Sequence, residues 1–399
     1  MSARPQPLAG VTVLDLGHIY NGPYAGFMLA MAGARVIKIE PLKGEHLRHR
    51  GAKKSHSVPF ALLNSNKECV TLNLKAPRGR EIFLEMVKRA DVVLENFAPD
   101  AMQNMRLGWE DLQKVNPKLV YGCSSGYGRS GPRRDDLAMD LTVQASSGLM
   151  SVTGFPDSPP VKAGAAVCDF SGGVHLYAGI MTALYEAEKT GQGRMVEVSM
   201  QEAIYASLAS NIGMYYTLGG KEPPRTGNQH GGLSISPYNV YPTKDGYAAI
   251  NCTNDGHFYN LLIPLGRPEL KDDPRFAGNH ARAEILEEVN AMVEKWTRTL
   301  TKDELLAISR KYNFPCAPVR NLDEVIHDEH LHARGMLEWV DHPVLGRLAL
   351  QRSPLRFQDS DLMPIVPSAE LGEDNAGVYG GWLGLPAAEL DALKRDGVI

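Results

Sequence analysis

Short apolar runs alternate with helical patterns through the first 200 residues. Val11-Thr-Val-Leu-Asp15 reads as a buried strand. Gly22-Pro23 then opens an apolar helix through Met31, and Gly33 closes it. Arg35-Val-Ile-Lys-Ile-Glu40 is the next strand. Pro77 stands where a first-turn proline belongs, at the start of an amphipathic helix to Ala90, and Asp91-Val-Val-Leu-Glu95 follows as a strand. Leu119-Val-Tyr-Gly-Cys123 is another. Beyond Asp169 a helical pattern runs to about Lys189 and ends at Thr190-Gly-Gln-Gly193. Arg194 to Ser199 is then a strand, and Gln201 to Leu218 a helix. Strand, helix and strand repeated in this way predict a parallel sheet with covering helices.

The texture changes at Gly219-Gly-Lys-Glu-Pro-Pro224, which has the composition of a linker. Ser236 to Thr253 reads as two strands joined at Thr243-Lys-Asp-Gly246, an antiparallel hairpin signal. Helical patterns fill Asp255 to Asn313. From Arg347 the chain mixes short strands with a final helix, Ala387 to Arg395. The expected organisation is α/β: a large domain over 1–205, a small α+β domain over 221–320, and a segment over 321–399 that links back to the large domain.

Composition narrows the classes. The chain has 399 residues, 22% of them charged, and a net charge of −4, so no bulk positive field points to nucleic acid. The five cysteines (Cys69, Cys123, Cys168, Cys252, Cys316) are scattered and never spaced C-x-x-C, which argues against a disulfide framework or a thiolate metal site. The longest apolar stretch, Tyr24 to Ala34, falls well short of the ~20 residues of a membrane span. With no apolar leader at MSARPQPLAG, a cytoplasmic protein is expected, with neither nucleic acid nor membrane as partner.

The first strand–helix turn, Gly17-His-Ile-Tyr-Asn-Gly22, lacks the G-x-G-x-x-G spacing of a dinucleotide site. No phosphate-binding G-x-x-x-x-G-K-[ST] occurs, nor H-E-x-x-H or G-x-S-x-G. His327, His330 and His332 cluster, but so charged a run reads as a solvated helix face, and no metal is expected.

The informative segment is Val161-Lys-Ala-Gly-Ala-Ala-Val-Cys-Asp169-Phe-Ser-Gly-Gly173. A single acidic residue stands where a small-residue strand passes into a long helix. Asp169 there is either a helix N-cap or a carboxylate nucleophile kept ionised by the helix dipole and free N–H groups. Gly172 and Gly173 leave room for a bulky ligand. The residues themselves leave both readings open.

Several segments together resemble the class III CoA-transferase family, the group that holds formyl-CoA:oxalate and carnitine CoA-transferases and is related to α-methylacyl-CoA racemase. They are Pro7-Leu-Ala-Gly-Val-Thr-Val-Leu-Asp-Leu16, Gly22-Pro23, Gly33-Ala-Arg-Val-Ile-Lys-Ile-Glu40, Asn66-Lys67 and Leu72-Asn-Leu-Lys75. Ala90-Asp-Val-Val-Leu-Glu-Asn-Phe97, Leu107-Gly108, Asn116-Pro117, Gly126-Tyr-Gly-Arg-Ser-Gly-Pro132, Thr190-Gly-Gln-Gly193, Leu371-Gly-Glu373 and Gly397-Val-Ile399 continue the set in order, nearly end to end.

The resemblance implies a Rossmann-like parallel-sheet large domain, a smaller α+β domain and an interlocked homodimer whose linkers fall near 205–225 and 320–345. It implies transfer of CoA from an acyl-CoA thioester to a free carboxylic acid, with no tightly bound cofactor, and places the family's nucleophile on Asp169. It places the CoA site along His18, Ile19, Tyr20, Asn21, Leu72, Asn73, Lys75, Asn96 and Phe97, with Arg106, Arg48 and Arg50 as candidate phosphate contacts, the last two in a basic stretch with Lys53 and Lys54. The acyl pocket falls to Met139, Asp140 and the glycine loop His230-Gly231-Gly232, whose amides would hold oxyanions. Relatives resembling formyl-CoA transferase carry glutamine in place of Tyr20 and tyrosine in place of Met139, so a formyl/oxalate pair is not expected. Several relatives act on small dicarboxylates (succinyl-, mesaconyl-, itaconyl- or citramalyl-type), and the resemblance implies such a substrate, its distal carboxylate met by His230 or Arg48. The alternative is a racemase with Asp169 as one base. Racemase-like members place the second base, a histidine, where Met139 stands, and a thioether neither gives nor takes a proton.

Overall fold

The computed structural model describes residues 4–51 and 56–399; Lys53 and Lys54 lie outside the described residues. The chain forms two compact units, the first made of residues 1–143, 165–204 and 326–399, the second of 144–164 and 205–325. The second unit therefore takes in more than the 221–320 expected: it begins at Tyr205 and adds the segment 144–164.

The first unit is built on six strands: β1 (Thr12–Asp15), β2 (Arg35–Glu40), β3 (Lys67–Thr71), β4 (Val92–Glu95), β5 (Val120–Ser125) and β6 (Met195–Ser199). They pair in the order β3-β2-β1-β4-β5-β6, every pair parallel. The chain winds outward from β1 to one edge and then restarts at β4 beside it, so β1 and β4 flank the switch point. In open α/β sheets the crevice beyond the strand ends at that point is where ligands bind.

Neighbouring residues of each strand feed opposite faces, as the period of two requires. Val13, Val36, Val92, Leu94 and Val120 pack on one face with Leu29 of helix α1 (Asn21–Met31) and with Leu176 and Ile180 of a long helix over Val167–Thr190. Leu14, Ile37, Val70, Val93 and Tyr121 pack on the other, under Ile82, Phe83 and Met86 of α2 (Pro77–Val87). The C-terminal segment closes this second face. Tyr379 Oη donates to the Thr71 carbonyl at 2.9 Å, Asp374 accepts from Cys69 N at 2.7 Å, and Val378 and Leu393 enter the cluster.

Three expectations change. Residues 161–166 form no strand, and the long helix starts at Val167 from extended and bent chain. The single helix expected over 201–218 is three pieces: Met200–Tyr205, a 3₁₀ turn Ala206–Leu208 and Ala209–Thr217. The helix from Pro77 ends at Val87 rather than Ala90. In the second unit, Tyr238–Thr243 and Gly246–Asn251 form the antiparallel hairpin, and Cys316–Pro318 adds a third antiparallel strand. Among the described residues no helix is long and apolar enough to cross a membrane.

Candidate active site

The turn that joins β1 to α1 is fixed from all sides. Asn96, just past β4, grips the His18 peptide twice: its Oδ1 accepts from His18 N at 2.7 Å and its Nδ2 donates to His18 O at 2.9 Å. Asp15 Oδ1 accepts from Gly17 N at 2.7 Å, and Lys38 Nζ donates to Gly17 O at 2.6 Å. Ile19 takes a left-handed backbone, φ 63°, which a β-branched residue rarely adopts. It is held there by its own N–H, which donates to Glu45 Oε2 at 3.1 Å. The two loops at the switch point are thus tied to each other, and the His18 ring stands edge-on to Phe97, centroids 4.9 Å apart. Burial, with Lys38⁺ nearby, pushes His18 down to about 4, so its ring is neutral at physiological pH.

Asp169 lies in the first turn of α4 (Val167–Thr190), after α3 (Asp140–Ser146), and is only 9% exposed. It is not the N-cap: Ala166 holds that position, with no side-chain cap hydrogen bond. The carboxylate that meets the helix N-terminus is Asp140, whose Oδ1 accepts from Cys168 N at 2.9 Å and Asp169 N at 3.2 Å. Two acids therefore converge on one helix start. Burial first, and the Asp140 charge second, raise Asp169 from 3.8 to about 7, against a smaller opposing pull from Arg50. The expectation that the helix terminus would hold Asp169 fully ionised is corrected. The first amides of α4 serve Asp140, so Asp169 receives their field together with a like-charged neighbour.

Asp169 opens onto a cavity of about 530 Å³ lined also by His18, Ile19, Asn21, Asn96, Phe97 and Met139. A second, mainly apolar cavity of about 490 Å³ shares His18 and Phe97 as a common wall and continues along Leu72, Asn73 and Lys75. A third, about 330 Å³, shares Lys75 and is lined by Arg80 and Arg106, with no acidic residue. Three adjoining cavities in the first unit thus form a row from a cluster of three cations, past an apolar trough, to a buried carboxylate. Arg80 was missed from sequence; its Nε is buried without a hydrogen-bond partner among the described residues. The available signal was the basic run Pro77-Arg-Gly-Arg80 at a helix start. Asp100, Arg134, Asp135 and Asp136, which also line the first cavity, were missed as well. Arg134 is ion-paired to Asp100 and Asp135.

Several expected residues take other roles. Arg48 is fully buried and forks onto Glu40 (Nη2–Oε1 2.6 Å, Nε–Oε2 3.0 Å), donates to the Ala369 carbonyl at 3.0 Å and lies 4.0 Å over the Phe60 ring. Its donors are spent on structure, so neither a phosphate nor a distal carboxylate can reach them; both expected roles are withdrawn. Tyr20 turns from the cavities to stack on Phe170, centroids 5.9 Å apart. Gly172 and Gly173 leave room for α1 rather than for a ligand: Cβ atoms there would meet Asn21 Nδ2 at 2.2 Å and Asn21 O at 2.7 Å. In the second unit, His230 Nδ1 accepts from Gly232 N at 3.2 Å and lies 3.2 Å from Ser234 Oγ, so the Gly232 amide is already donated. Gly231 sits against Asn211. Among the described residues no three His, Cys, Asp or Glu side chains group as metal ligands.

Residues 8–375 match CoA-transferase family III. The chain is 37% identical to a formyl-CoA:oxalate CoA-transferase of Streptomyces avermitilis, over 98% of this chain and 99% of that one. It is 34% identical to a succinyl-CoA–D-citramalate CoA-transferase of Chloroflexus aurantiacus, over 99% and 98%. Among solved structures, a CaiB/BaiF family protein from Brucella suis superposes with a TM-score of 0.82 at 33% identity, covering 97% of this chain and 100% of its own.

Proposed function

The chain belongs to CoA-transferase family III and is a CoA-transferase acting between acyl-CoA thioesters and carboxylates, and on that premise we propose that Asp169 is the nucleophile and a small dicarboxylate the acceptor. The observation that carries the mechanism is the row of cavities just described: cations for the phosphates of CoA, an apolar trough for its long arm, and one buried carboxylate where the thioester would lie.

The chemistry follows from those parts. An Asp169 oxygen attacks the thioester carbonyl, the C–S bond breaks, and CoA leaves as thiolate from a mixed anhydride. The thiolate attacks the Asp169 carbonyl carbon and releases the donor acid, which leaves an aspartyl–CoA thioester. The acceptor carboxylate repeats the steps in reverse and regenerates Asp169. One thioester is exchanged for another, so no ATP is needed; splitting the exchange through covalent intermediates is nucleophilic catalysis. An Asp held near 7 is partly ionised at neutral pH, and its carboxylate is a stronger base than an ordinary one. Met139 lines the same cavity and supplies no second base, which favours transfer over racemisation.

We further propose the interlocked homodimer; a folded monomer persisting on dilution, seen by sedimentation, would contradict it. The reaction is tested by offering succinyl-CoA with a panel of acids and reading new acyl-CoA species by mass spectrometry. New thioesters absent with Asp169→Ala support the reading. α-Deuteration in heavy water without any transfer would move the enzyme to the racemase branch.

A further inference from the structure

Asn21, the first residue of α1, lines the cavity that holds Asp169 and is 2% exposed, yet neither Oδ1 nor Nδ2 of its amide meets a hydrogen-bond partner among the described residues. A primary amide offers two donors and an acceptor oxygen, and burying them unmet is costly because the hydrogen bonds to water are lost without replacement. Ser124 Oγ, in the same cavity, is likewise unmet among the described residues, but the backbone groups around Asn21 are provided for. In the same turn Gly17 N is met by Asp15, both polar groups of the His18 peptide by Asn96, and Ile19 N by Glu45. Nor is the amide loose. Nδ2 rests against the bare Cα of Gly172, where a Cβ would stand only 2.2 Å away. Gly172 lies three residues beyond Asp169 in α4, on the same face of the helix. A buried amide with no partner among the described residues thus stands about one turn from the buried carboxylate.

We propose that the Asn21 carboxamide is a catalytic hydrogen-bond donor to the reacting acyl carbonyl. As an Asp169 oxygen bonds to the thioester carbon, the carbonyl π pair moves onto oxygen. Asn21 Nδ2–H donates to that oxyanion without giving up its proton, and the oxyanion collapses with loss of the CoA thiolate. Donors fixed in advance where charge develops act strongly because they need not reorganise. This assignment rests on Asp169 as nucleophile.

The test compares full-length wild type, Asn21→Ala, Asn21→Asp and Asp169→Ala. It uses succinyl-CoA as donor and the acid identified in the panel as acceptor, with the CoA adduct on the protein followed by rapid-quench mass spectrometry. Losing one such donor lowers kcat by about 10²- to 10³-fold with KM nearly unchanged. The same loss is expected in the rate of adduct formation, and Asn21→Asp, which removes the donor and adds a charge, should be at least as slow. Because no hydrogen bond is lost, the thermal midpoint of Asn21→Ala should equal or exceed that of wild type, a result that a merely structural role would reverse. An adduct that forms in wild type, vanishes in Asp169→Ala and forms in Asn21→Ala within about threefold of the wild-type rate overturns the Asn21 assignment alone. An active wild type that never acquires an adduct, or an Asp169→Ala that still transfers, overturns the nucleophile reading and this assignment with it.

Discussion

Two sets of buried polar side chains in the first unit are treated in opposite ways. Under the β2 and β3 ends every charge is answered. Arg48 is forked onto Glu40, and Lys67 directs its ammonium to Asp15 Oδ2 at 2.7 Å, Pro23 O at 2.8 Å and Asn64 Oδ1 at 3.0 Å. At the start of α4 the groups are left wanting: Asp169 is buried beside a second acid, and Asn21 has no partner among the described residues. The first set holds the switch-point loops in place. The second carries buried polar groups whose partners the described residues do not supply. Unmet polarity beside a cavity, set against pairs as complete as those of Arg48 and Lys67, marks the candidate site more sharply than the cavity outline does.

The largest expected effect breaks the reactive side. Asp169→Ala should lower transfer by at least about 10⁴-fold, as loss of a covalent nucleophile does, with the protein still folded; acyl-CoA turnover followed by mass spectrometry checks it. Next, breaking the scaffold should cost stability instead. Arg48→Ala leaves Glu40 buried and unpaired and should destabilise by about 3–5 kcal/mol, read by urea unfolding. If Arg48→Ala instead unfolded like wild type and bound CoA more weakly, the division drawn here would be wrong.

A third variant separates the two sides in one molecule. Asp169 has its folded value raised from 3.8 to about 7, so the folded state holds a proton that the unfolded chain has lost across that interval. Its burial therefore costs nothing below about pH 4, costs progressively more as pH rises, and reaches its full cost above about 7. Asp169→Asn should be inactive yet more stable than wild type by roughly 2–4 kcal/mol at pH 8, the difference vanishing near pH 4. Equal stabilities at pH 8 would mean that the carboxylate is not strained in the folded state.

The smallest effect is a shift of profile. On the proposed mechanism the ionised form attacks, so kcat/KM should rise through about pH 7 and level above it. Asp140→Asn can keep the acceptor oxygen for Cys168 N and Asp169 N while removing the second charge, so the acid limb should move to lower pH, measured from the pH dependence of kcat/KM.

Much of the frame was legible in advance. The runs at Val11–Asp15, Arg35–Glu40, Asp91–Glu95 and Leu119–Cys123 all became parallel strands, because a strand buried on both faces is dominated by apolar residues, with Lys38 the one charged residue inside such a run and answered by Gly17 O. Asp169, alone among small residues at a helix start, was legible as a candidate. That it is not the helix cap was not legible, because the first amides are met by Asp140, brought to that helix start from 29 residues away. The supposed strand before it failed for a related reason: small residues such as Ala163-Gly164-Ala165-Ala166 carry no period of their own.

The sequence by itself determined the parallel α/β architecture, the family, and the acid at the head of the long helix, since each is carried by local pattern or by motifs in order. Only the tertiary structure decided which polar groups are spent and which are open. Arg48 has the sequence appearance of a phosphate ligand, but its partners are Glu40 and the carbonyl of Ala369, 321 residues away. Asn21 looks like an ordinary helix-start residue, and its lack of a partner exists only once α4 closes over it at Gly172. Charge and hydrogen-bond satisfaction depend on neighbours in space and on the exclusion of water, and neither is a property of any stretch of chain.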